Sequence, residues 1–250
     1  RPATVLTALD WSERCARRAS YALGTFALGD EAYWRSLVTG VSLRGKPGRQ
    51  GIAFDATLTR ARAVLEPNDP IIADVLTNLG LARAAQGRVI ESEQLFRDAL
   101  AIRQAAPHPD EPRLVAAFAN LGMSLSAQGK HKEGESMWRQ AFELSARVNG
   151  PNHCDTLKSQ SNYGNTLRLL NKPGEAEPFV RDAATKYSAL LGNSHPDTLN
   201  ALFILALTLE ALGTESNLTE AENIFVGVLE ARRRTLGDRH QDTLQVMYML

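Results

Sequence analysis

Apolar residues fall at steps of three and four along most of this chain. Phe118, Leu121 and Leu125 follow that spacing, as do Leu202, Leu205 and Leu209, and Leu76 with Leu79 begins the same stripe. A second kind of stripe follows each of the first: Leu95, Phe96, Ala99 and Leu100, then Met137, Trp138, Ala141 and Phe142. Both have the period of an α-helix with one buried face. Between the two stripes stands Gly87, and at the matching places Gly129, Asn171 and Gly213. A glycine there ends a helix cheaply, because it takes the left-handed backbone conformation without a Cβ penalty. The pattern predicts helical hairpins, and no strand.

The hairpins repeat. Asn78-Leu79-Gly80 recurs 42 residues later as Asn120-Leu121-Gly122 and 42 later again as Asn162-Tyr163-Gly164; one more step reaches Ile204-Leu205-Ala206. Glu91-Ser92-Glu93, Glu133-Gly134-Glu135 and Glu175-Ala176-Glu177 keep the same register, and Glu220-Ala221-Glu222 follows after three inserted residues. Phe96, Trp138, Val180 and Phe225 come next, with Ala99, Ala141, Ala183 and Val228 three positions on. The small residues Gly80, Gly122, Gly164 and Ala206 are expected to let the paired helix approach closely. The bulky residues Phe96 and Trp138 are expected to fill space between adjacent hairpins. A single hairpin cannot bury its apolar face, whereas a stack of them makes a continuous core.

Units are joined by Gly150-Pro151-Asn152-His153-Cys154-Asp155-Thr156, by Gly192-Asn193-Ser194-His195-Pro196-Asp197-Thr198 and by Gly237-Asp238-Arg239-His240-Gln241-Asp242-Thr243. The glycine closes one helix, and the aspartate is expected to cap the next by accepting its free amide hydrogens. The three histidines lie one repeat apart, too far to share a metal ion, so a hydrogen bond within the connector is the expected role of each.

With 28 basic and 28 acidic residues the formal charge is zero, which argues against a general nucleic-acid binder. The run Arg232-Arg233-Arg234 is the best basic candidate, but it falls late in a helix, where cations complement the dipole. The cysteines, Cys15 and Cys154, fit no metal spacing and make no disulfide framework. No apolar run approaches the length of a membrane span, and a cytoplasmic setting is the expectation. No phosphate loop, zinc-binding helix motif or nucleophile elbow occurs, so no catalytic residue, metal ligand or cofactor is assigned. The in-register Glu pairs at the start of each second helix are read as dipole-complementing charges. The chain begins with Arg1 and stops inside an apolar-periodic stretch, the pattern expected of a fragment from a longer protein.

Leu76-x2-Leu79-Gly80 followed by Ser92-x3-Phe96 and Ala99 resembles the tetratricopeptide repeat. The longer unit and the connector Gly192 to Thr198 are similar to the kinesin light chain type of that repeat. The resemblance covers about residues 72 to 250. It implies an all-α, right-handed superhelical solenoid of helical hairpins. Four repeats would occupy 71–112, 113–154, 155–196 and 197–241, with the start of a fifth at 242–250. Residues 51–70 read as the end of a degenerate repeat, since Gly45, Phe54 and Leu58 align one period before Gly87, Phe96 and Leu100. Residues 1–50 read as degenerate N-terminal helices, a cap or a weak repeat, with an elongated turn at Ser42 to Gln50.

The resemblance also implies a protein-interaction scaffold that holds a peptide or partner protein on the concave face formed by the first helices. Asn78, Asn120 and Asn162 take equivalent places there, and a side-chain amide can meet a peptide bond as donor and as acceptor. Lys158 and Asn165 share the face of Asn162 and could meet a carboxylate. In the fourth unit Asn200, Phe203, Ile204 and Leu207 replace these polar positions, making Phe203 either an apolar contact for the partner or a packing residue. In the first, Asp74 would repel an acidic ligand. A two-residue basic clamp for a terminal carboxylate is not evident. The expected partner is a protein or an extended peptide, with neither nucleic acid nor membrane. A regulatory or oligomerising array attached to a catalytic domain (a kinase, a nucleotide-binding ATPase or a protease) is the alternative role, and end-to-end self-association through exposed solenoid ends is a further expectation.

Overall fold

The computed structural model describes residues 47–250, with side chains from Phe54 onward. Among the described residues the chain forms ten α-helices and no strand. Two compact units meet in sequence between Asp110 and Glu111. The first contains α1 (Pro47–Val64), α2 (Pro70–Ala85) and α3 (Val89–Ala105). The second contains α4 (Glu111–Ala127), α5 (His131–Asn149), α6 (Cys154–Leu169), α7 (Pro173–Leu191), α8 (Pro196–Leu212), α9 (Glu215–Leu236) and α10 (Gln241–Met249). The degenerate helices expected before Pro47, with Cys15 and Gly45, lie outside the described residues. The turn expected at Ser42 to Gln50 gives way to helix from Pro47, where proline's fixed φ suits a first helical position.

The hairpins α2–α3, α4–α5, α6–α7 and α8–α9 each close on a small residue. A Cβ added to Gly80 would lie 2.6 Å from the Phe96 ring, one on Gly122 2.9 Å from Trp138, and one on Gly164 2.5 Å from Val180 Cγ1. In these three hairpins the bulky residue of the second helix therefore sits on the landmark glycine of the first, and Val180 also joins a core that includes residues of the next hairpin. Phe96, Trp138, Val180 and Phe225 are all buried, with Leu79, Leu121, Ala99, Ala141, Ala183 and Ala206 beside them in the core. The turns behave as the spacing requires. Gly87, Gly129 and Gly213 have φ of 74°, 71° and 71°, and Asn171 takes the same conformation at 61°; asparagine is among the few L-residues that visit this region readily.

The connectors differ from expectation in one respect. It is the histidine, not the aspartate, that caps each following helix: His153, His195 and His240 Nδ1 accept the amide hydrogens of Asp155, Asp197 and Asp242, each at 3.2 Å. The aspartates instead occupy the first helical turn, where a negative charge complements the dipole. In the first unit Asp69 holds the capping place and accepts from Ile71 N at 2.8 Å. The three-residue insertion extends α9 at its start to 22 residues, with Thr214 as its cap. Glu220 is thereby moved inward from the first turn, while Glu91, Glu133 and Glu175 keep that place.

Within the second unit, polar bonds tie the two helices of a hairpin to each other and one hairpin to the next. Tyr187 Oη donates to the Cys154 carbonyl at 2.9 Å, and burial pushes the phenol pKa up. Gln160 donates to Phe179 O and to Asp182. Arg181 donates to Glu177 and, through two nitrogens, to Glu220 at 2.6 and 3.0 Å, which holds the Glu220 carboxyl below its usual range. Arg232 is buried over the Phe203 ring, 5.2 Å from its centroid, and donates to Asp242 O at 2.8 Å. Arg233 pairs with Asp238. Two of the three residues in the basic run thus serve the fold.

Gly122→Leu is expected to lower stability by about 1–3 kcal/mol through overpacking against Trp138; an unchanged thermal midpoint would contradict the close contact. His195→Ala should cost about 1 kcal/mol as a lost cap, read by chemical denaturation, whereas His195→Asp should retain most of it because Asp69 already fills that role in the first unit.

Candidate protein-binding face

In the second unit the first helices α4, α6 and α8 carry the residues expected to meet a partner. Helical spacing and the repeat set their register. Asn120 on α4 and Asn162 on α6 are 42 residues apart and both half-buried, as a side chain at the edge of a helix contact must be. Asn162 Nδ2 donates to the Lys158 carbonyl at 2.9 Å, and its Oδ1 accepts nothing from the described residues. Asn165, nearly one turn on, is the reverse case. Its Oδ1 accepts from Arg168 Nε and Nη2 at 3.2 and 2.9 Å, which leaves Nδ2 available. The two amides thus present an acceptor and a donor close together, the complement of a peptide group. Lys158 is exposed and has no ion-pair partner among the described residues. Arg168 is half-buried, and that desolvation lowers its pKa against the opposing charge of Glu210.

Two residues on this face were not singled out by sequence reasoning. Met123 stands in the register of Asn165 and is 45% exposed, and Leu169, one turn after Asn165, is 41% exposed. The register itself was the available signal for Met123, but a methionine on a helix reads as core until its exposure is known.

Two expectations change. Phe203 is 5% exposed, edge-on to Phe225 with centroids 5.7 Å apart and beneath the Arg232 guanidinium. Together with Ile204 it belongs to the core of the fourth hairpin, so it is a packing residue and not a contact for a partner. Asp74 is held by Arg103 at 2.7 Å, so its charge is compensated on the spot. Asn78 lies in the first unit, where its Nδ2 donates to Asp74 O at 3.0 Å, the same backbone bond that Asn162 makes.

The pair His153-Cys154 has the wrong chemistry for a nucleophile and base. The histidine Nδ1 serves as a helix cap, and burial with the Asp197 and Asp155 charges pushes the Cys154 thiol pKa up, away from the reactive thiolate. Among the described residues no cluster of three His, Cys, Asp or Glu could hold a metal ion, and no helix is long and apolar enough to cross a membrane.

Models of the tetratricopeptide repeat match residues 72–106, 114–189 and 205–242, together more than half of the chain. The chain belongs to the tetratricopeptide-repeat family. Its fold is shared with solved structures of low sequence identity. A Podosopora anserina protein with nearly identical repeats of kinesin light chain type is 20% identical at a TM-score of 0.67, over 85% of this chain and 99% of that one. YrrB, described as having an unusual peptide-binding site, is 13% identical at 0.57, over 95% and 99%. The Rap conjugation gene regulator of plasmid pLS20, solved with the Phr peptide, is 13% identical at 0.59, over 96% of this chain and 67% of that one. No curated protein matches the chain in sequence.

Phe203→Ala is expected to cost about 3–5 kcal/mol of stability, measured by denaturant titration; a variant of full stability would return Phe203 to the surface.

Proposed function

We propose that this tetratricopeptide-repeat array is a protein-interaction scaffold whose second unit holds an extended peptide segment of a partner against α4, α6 and α8, the face that the family resemblance makes concave. The observation that carries this reading is the paired amide on α6: Asn162 Oδ1 is open as an acceptor and Asn165 Nδ2 as a donor. An extended strand has an N–H and a C=O to offer such a pair at each residue, so recognition needs little of the partner's sequence. Asn120 supplies a further amide one hairpin away. Lys158 adds selectivity for a carboxylate, since an exposed ammonium without a partner gains from a nearby negative charge. Met123 and Leu169 flank the amides with accessible apolar area that an aliphatic side chain of the partner would cover. YrrB and the Rap regulator, each described with a peptide or a peptide-binding site, support a peptide as the ligand class.

The double variant Asn120→Ala with Asn162→Ala should abolish capture of partner proteins in an affinity pull-down while leaving the helical circular dichroism unchanged. Lys158→Ala should weaken capture chiefly at low salt, because an exposed charge is screened as ionic strength rises. Partners retained equally by the wild type and the double variant would show that this face does not bind them.

A further inference from the structure

Where the second hairpin meets the third, the repeat is broken at three positions that meet in space. Tyr163 on α6 stands where the other units have Leu79, Leu121 and Leu205, which are 2%, 5% and 4% exposed. Phe142 on α5 stands where they have Leu100, Ala184 and Leu229, all buried. Phe179 on α7 replaces Leu95, Met137 and Ile224. Tyr163 and Phe142 are only half-buried, so the aromatic substitutions bring ring surface to solvent at positions where the fold elsewhere buries aliphatic side chains. The rings are arranged edge to face about Phe179: Tyr163 lies 5.0 Å away at 74° and Phe142 6.0 Å away at 82°. Repeat packing does not need these rings, since leucine serves the Tyr163 position in three other hairpins.

The surroundings are acidic. Glu135 and Glu143 on α5 and Glu175 on α7 all act on the Tyr163 hydroxyl, which burial and these charges push up in pKa against the opposing Arg139. Of the three carboxylates only Glu175 has a cation, Lys172 at 3.5 Å; Glu135 and Glu143 make no ion pair with the described residues. Ring faces carry negative electrostatic potential and attract cations, and neighbouring carboxylates add to that attraction. An apolar ligand would gain nothing from them.

We infer that the aromatic surface of Tyr163, Phe179 and Phe142 between α5 and α7 is a second docking site, which takes an arginine or lysine side chain from a basic segment of a partner protein. The amide face of α6 reads peptide backbone, whereas this surface reads positive charge, so one array can engage two features of a partner.

The test is a nuclear magnetic resonance titration of the protein with the tripeptide acetyl-Arg-Arg-Arg-amide, against the tri-citrulline peptide of the same shape without charge. Saturable shifts of the Tyr163, Phe179 and Phe142 ring signals are expected with the arginine peptide only. Tyr163→Leu restores the residue that the repeat uses elsewhere and should keep the fold while weakening binding about tenfold, as loss of a cation–π contact implies. Glu135→Gln with Glu143→Gln should weaken it similarly without touching a core position. Undiminished binding in either folded variant, equal binding of the citrulline peptide, or shifts confined to Asn162 and Asn165 would overturn the inference.

Discussion

Everything in this molecule depends on how closely the two helices of a hairpin approach. Three glycines leave no room for a single methyl group between themselves and the residue opposite, Phe96, Trp138 or Val180. That contact converts two helices with modest individual stability into one packed unit. It also explains why the residue opposite can vary from tryptophan to valine while the glycine position admits only glycine or alanine. The partner can change its shape to fit the gap, but a larger side chain on the near helix would run into the ring or branched carbon already seated there.

Once the hairpins are closed, they must be stacked without stranding polar groups. The second unit does this with a buried hydroxyl pair between Ser145 and Thr156 and with the bond from Arg232 to the Asp242 carbonyl. Such bonds fix the register between hairpins, because a shifted helix would leave each donor buried and unpaired. They also absorb much of the charge that the sequence displays. Arg232 and Arg103 are buried and bonded, so they do not belong to a basic surface. What remains open on α6 is mostly neutral amide, with the exposed Lys158 ammonium beside it.

The repeat, the hairpin and the turns were legible from residue spacing, since helical periodicity and left-handed turn residues are local properties. Asn171 was placed among three glycines by register alone, and its φ of 61° agrees. The capping role of the connector was legible too, but not its agent. Aspartate is the commoner cap, whereas the fold sets the histidine one step before the helix and turns its Nδ1 onto the amide. The placement of Asn162 and Asn165 on a first helix followed from the repeat, while their hydrogen-bond states, one open acceptor and one open donor, could not be read from residue type.

The sequence by itself determined the helical hairpins, their 42-residue register and the small residue on which each one closes, because those follow from periodicity, backbone preference and side-chain volume along one chain. Tertiary structure alone decided which of the periodic residues remain in contact with water. Phe203 and Tyr163 are both aromatic residues on successive first helices; the first is sealed by Phe225 and Arg232 and the second keeps surface exposed. That difference arises from neighbours supplied by other helices, and no pattern within a single helix encodes it.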